Sequence, residues 1–126
     1  LYDAHSIRSR IPRLFEGELP QFNLGTNGTT TCDPALEAAL TGVCAGSGHG
    51  WVANGRFKGG WTTRHYGAPE RGIHAVQMEL ATRGYMDEPE APDETNWPGE
   101  PHPAPAIEPT LRALIGACLT FAKGMP

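Results

Sequence analysis

The chain has 126 residues, with ten Lys and Arg against 14 Asp and Glu, for a net charge of −4. That length suits one domain, burying roughly 65–70% of its unfolded surface on folding. An apolar content of 39% with three Trp and four Phe argues against a disordered chain, and no apolar run approaches the ~20 residues of a membrane-spanning helix.

The charge is unevenly spread. Residues 87–109 hold seven of the 14 acids and seven of the 12 prolines, with no Lys or Arg. The remainder carries ten bases against seven acids. A surplus that small could favour an anionic small molecule but does not suggest nucleic acid. Cys32, Cys44 and Cys118 form no CxxC pair, so neither a disulfide framework nor a zinc knuckle is expected. A reducing, cytoplasmic setting is the simplest account of them.

In chain order, Leu1 to Ala4 reads as the end of a strand, and a chain that opens inside a strand suggests an incomplete domain. Residues 5–32 look irregular, apart from a short strand at Gln21 to Leu24. Asp33 followed by Pro34 predicts a capped helix start; Leu36, Leu40, Val43 and Cys44 follow at helical spacing. Trp51 to Ala53 reads as a strand and Asn54-Gly55 as a turn. Trp61 to Tyr66 reads as a strand from its Thr and aromatic content. Ile73 to Leu80 is the clearest strand, apolar on both faces as in the interior of a covered sheet. Residues 87–108 read as a mobile, solvated, Pro-rich acidic loop. A final helix is expected over 109–123, with Leu111, Leu114, Ile115, Cys118, Leu119 and Ala122 on one stripe and Gly124 as its stop.

Few residues stand out chemically. Asp3 and His5 lie two apart at a strand end and so point to one side; a His beside a carboxylate suits a metal ligand, a general base or a local hydrogen bond. Glu79 lies near the end of an apolar strand, where a carboxylate is costly unless paired, metal-bound or protonated. It is a candidate base with a raised pKa, or a strand-end Glu that reaches water. The stretch from Asn54 to Gly60 is glycine-rich with two cations, Arg56 and Lys58, and reads as an anion cradle or a hairpin turn. On a regular strand Arg64 and His65 would face opposite sides. Arg64 is the better carboxylate clamp because its planar fork binds both oxygens.

Taken together, Tyr2 to Ser9, Phe22 to Thr26, Cys32-Asp33-Pro34, Asn54 to Gly60, Thr63 to Gly67 and Gln77 to Leu80 resemble, in order and spacing, the N-formylglutamate amidohydrolase family. The resemblance covers residues 1 to about 86 and the final helix. It implies a three-layer α/β/α fold with a mixed central sheet, similar to zinc carboxypeptidases. It further implies zinc-dependent hydrolysis of N-formyl-L-glutamate to formate and L-glutamate, a step of histidine breakdown. His5 would be a zinc ligand and Glu79 the carboxylate that takes a proton from water. Arg64, with Asn54, Arg56 and Arg8, would hold the substrate's carboxylates.

Family members have a further N-terminal half with its own zinc ligands. The expectation is therefore that residues 1–126 are the C-terminal half, inactive alone, with a sheet edge and apolar surface exposed where the other half belongs. Hydrolysis of another N-acyl amino acid, or a non-catalytic domain binding an anionic amino acid, are the alternative readings.

Overall fold

The computed structural model describes residues 1–124. Four strands form one mixed sheet: β1 (Tyr2–Ile7), β2 (Phe22–Gly25), β3 (Trp51–Ala53) and β4 (Val76–Ala81). Their order is β1-β4-β2-β3. β1 runs parallel to β4, β4 antiparallel to β2, and β2 parallel to β3. β1 is thus an edge strand and β4 is paired on both sides, which accounts for its burial.

Three α-helices accompany the sheet. α1 (Pro34–Ala45) starts as expected: the Asp33 carboxylate accepts the Ala35 N–H at 2.7 Å, and Pro34 opens the helix. α3 (Glu108–Lys123) ends at Gly124. Both helices cover one face of the sheet. Val76 and Met78 of β4, Phe22 and Leu24 of β2, Leu36, Leu40 and Cys44 of α1 and Leu114 of α3 form its core. Each such large side chain contributes about 1.5–3 kcal/mol on burial. Desolvation there pushes the Cys44 thiol up to about 11, in keeping with an inert packing residue.

Strand alternation sends Asp3, His5, Asn23, Gly25, Gln77 and Glu79 to the opposite face. The third helix, α2 (Trp61–Tyr66), lies there, with Thr63 bonded to Asp3 and its cap, Gly60, bonded to Gln77.

Several expectations need correction. Trp61 to Tyr66 is helical, because the segment is anchored by tertiary contacts rather than by strand propensity. Its aromatic rings make use of helical spacing: Trp61 and His65 stack at 4.2 Å, four residues apart. On this helix Arg64 and His65 are not set on opposite sides as neighbours on a strand would be. β1 continues through Ile7, since its pairing with β4 runs to Ala81, so His5 lies within the strand rather than after it. β4 begins at Val76; Ile73 instead bridges back to Ala68.

The α3 stripe is only partly covered. Leu114 is buried, whereas Ile115 and Leu119 are 49% and 56% exposed beside the exposed Leu1 and Ile73. Residues 87–107 contain no helix or strand, yet the segment is not merely solvated. The Ser9 N–H donates to both carboxylate oxygens of Glu88 at 3.0 Å, and the Thr82 hydroxyl also donates to Glu88.

Candidate active site

The site is built on the polar face, where β1 and β4 lie side by side. Their parallel register sets His5 beside Glu79 and Asp3 beside Gln77. On its other side Glu79 has Asn23 as its partner in β2, and the Asn23 amide donates to the Glu79 backbone carbonyl at 3.0 Å. His5 Nε2 lies 2.9 Å from Asp3 Oδ1, so the two residues share one side of the strand as their spacing predicts. The His5 side chain is half exposed.

Glu79 is 6% exposed. Burial raises its carboxyl above the ordinary range; nearby His5 partly opposes that rise and Asp3 adds to it. The side chain of Gln77 donates to Glu79 Oε2 at 3.3 Å.

A glycine-rich stretch crosses this face. A Cβ on Gly25 would sit 2.6 Å from Gly59 N and 2.7 Å from Lys58 C, so β2 admits the loop backbone only because residue 25 has no side chain. Gly59 itself takes φ +117°. The loop and the start of α2 bring Arg56, Lys58, Gly60, Arg64 and Gln77 around one open cavity of about 360 Å³. Arg64 Nη1 donates to Gly59 O at 2.6 Å, and Arg56 Nε donates to Leu14 O at 2.8 Å. Both guanidiniums keep further N–H groups for an anion.

The other two expected substrate residues are engaged elsewhere. Asn54 adopts φ +53°. Its Oδ1 accepts the N–H groups of Thr26 and Gly28, and its Nδ2 donates to Thr26 Oγ1. Its amide therefore shapes the turn after β2. Arg8 lies over the Trp97 ring at 5.6 Å, beside the acidic segment. The structure thus gathers Arg56 and Arg64 at one cavity and leaves Asn54 and Arg8 outside it.

The sequence gave no individual role to Gln77 or Thr63, and Gly60 stood only as the end of the glycine-rich stretch. The one available signal was a buried amide two residues before Glu79 and on its face. Among the described residues no group of three or more His, Cys, Asp or Glu is placed to hold a metal ion. His5 with Asp3 is a single imidazole and its neighbour, short of the three protein ligands a catalytic zinc usually takes.

Comparison with known proteins gives a consistent picture. A family model described as N-formylglutamate amidohydrolase matches residues 1–86. The chain is 64% identical over 89 residues to an N-formylglutamate deformylase of Pseudomonas aeruginosa, covering 70% of this chain and 34% of that protein. It is 62% identical over 91 residues to an N-formylglutamate deformylase of Pseudomonas putida, covering 71% of this chain and 34% of that protein. The chain thus spans about a third of the length of these curated relatives. In fold it is similar to an N-formylglutamate amidohydrolase from Ralstonia eutropha JMP134, with a TM-score of 0.69 at 22% identity over 97% of this chain and 41% of that one. The match over residues 1–86 contains the whole β1–β4 face and the loop that crosses it, and the chain belongs to the N-formylglutamate amidohydrolase family.

Proposed function

We propose that this chain supplies part of the active site of a hydrolase that cleaves N-formyl-L-glutamate to formate and L-glutamate. The observation that carries the reading is the pairing of Glu79 with His5 in register, beside a cavity lined by Arg56 and Arg64. The deformylase names of the two Pseudomonas relatives support the choice of substrate.

In this reading Glu79 takes a proton from the attacking water, and its raised pKa suits that task. Water oxygen bonds to the formyl carbon, the C–N bond breaks, and the proton passes to the departing amine. Arg64 and Arg56 hold the two carboxylates of the substrate; a guanidinium binds both oxygens of a carboxylate through paired N–H groups.

His5 would contribute one ligand to a zinc ion, with Asp3 orienting the ring. Zinc, when bound, polarises the formyl oxygen and lowers the pKa of its water. The donors described here do not complete such a site, so the remaining ligands would come from the further length that the relatives possess. By the same reasoning residues 1–126 alone would be inactive. The exposed Leu1, Ile115 and Leu119 and the free edge of β1 would then adjoin that further length. A cytoplasmic location and a place in histidine breakdown follow from the same reading.

The test is formate release from N-formyl-L-glutamate by the complete polypeptide, with zinc and with a chelator. Chelator-sensitive release is expected. Absence of release from a folded, zinc-loaded protein would sink the assignment and move the reading to another N-acyl amino acid or to a binding domain.

A further inference from the structure

Gln77 is 5% exposed on the same face of β4 as Glu79. Gly60 N–H donates to Gln77 Oε1 at 2.5 Å. A backbone N–H can only donate, so the amide must turn its oxygen to Gly60 and its NH₂ the other way. That NH₂ meets Glu79 Oε2 at 3.3 Å. The orientation of the donor to Glu79 is therefore fixed by the residue that caps α2. The same helix holds Asp3 through the Thr63 hydroxyl at 3.3 Å, and it carries Arg64, which donates to Gly59 O. One short helix thus grips both neighbours of the His5–Glu79 pair, the buried Gln77 and the partly buried Asp3, and presents a cation at the adjoining cavity.

We infer that Gln77 is a positioning residue that couples the Glu79 carboxylate to the first turn of α2, and through it to Arg64. The inference rests on the reading of Glu79 as the base. Its two arms are separable. The Oε1 arm places α2 and hence the anion-holding side chain. The Nε2 arm orients the carboxylate.

The test uses the complete polypeptide with zinc and N-formyl-L-glutamate. Gln77→Leu removes both arms, and kcat should fall about 10–100-fold, the usual cost of losing such a supporting contact, while KM rises. Gln77→Glu keeps an acceptor for Gly60 but sets a second carboxylate against Glu79, where two like charges cannot both stay ionised. KM should then recover while kcat stays low. A readout independent of activity is hydrogen exchange at the Gly60 amide, faster in Gln77→Leu and near wild type in Gln77→Glu. Unchanged exchange in Gln77→Leu, or kcat within twofold of wild type in both variants while Glu79→Gln is inactive, overturns the assignment. Wild-type turnover by Glu79→Gln overturns the base reading instead, whatever the Gln77 variants do.

Discussion

The two faces of the sheet are made by the same strands and obey opposite rules. One face presents Phe22, Leu24, Val76 and Met78 to α1 and α3 and closes into a core. The other presents Asp3, His5, Asn23, Gln77 and Glu79, separated from the first set by a single residue step. Groups on the apolar face gain stability by leaving water. On the polar face, burial of Glu79 works against its ionised form. That face is joined to α2 by hydrogen bonds from Gly60 and Thr63, and a loop packs against it at Gly25. On the proposed reading, stability and chemistry lie on opposite sides of one sheet, at residues adjacent in sequence.

Substitutions on each face can break or sharpen this contrast. The largest effect is expected for Glu79→Gln in the complete polypeptide: turnover should fall by about 10²–10⁴-fold, the usual range for a positioned base, with zinc content unchanged. The same substitution should raise the melting temperature near neutral pH. A carboxyl whose folded pKa lies above its unfolded value contributes most below the unfolded value and loses that contribution as pH rises through the folded one. The advantage of the Gln variant should therefore vanish in acid, below the ordinary Glu range. A melting temperature lowered at neutral pH would place Glu79 on the stabilising side and break the contrast.

On the apolar face, Leu114→Ala should cost about 2–5 kcal/mol in denaturant unfolding, because Leu114 is fully buried. Spectroscopic markers of the polar face, such as the Gly60 amide resonance, should stay in place. Gly25→Ala tests the crossing loop. The new methyl would meet the backbone of residues 58 and 59, and such overpacking costs about 1–3 kcal/mol. Here the Gly60 resonance should move. Smallest is Asp33→Ala, which removes the α1 cap and should cost about 1 kcal/mol with no effect at the β1–β4 face.

Residues 1–86 and 87–107 differ in a related way. The first stretch carries the family match and all four strands. The second has no helix or strand but returns to the strand ends, through Glu88 to Ser9 and through Trp97 to Arg8. Composition marked it as a solvated loop, and composition carries no information about which single carboxylate is tied down.

Local chemistry was enough to specify α1, α3 and β3. An Asp-Pro start, a stop at Gly124 and apolar residues at helical spacing act within a few residues, so they are visible in the chain itself. The motif order carried the family, and the cost of a carboxylate on an apolar strand singled out Glu79. Tertiary structure alone decided that Trp61 to Tyr66 is a helix, that His5 lies within β1, and that His5 and Glu79 share a rung. It also decided that Asn54 is spent on a turn, and that Gln77 links Glu79 to Gly60. Each of these depends on a partner tens of residues away, and strand propensity or spacing holds no record of which partner that will be.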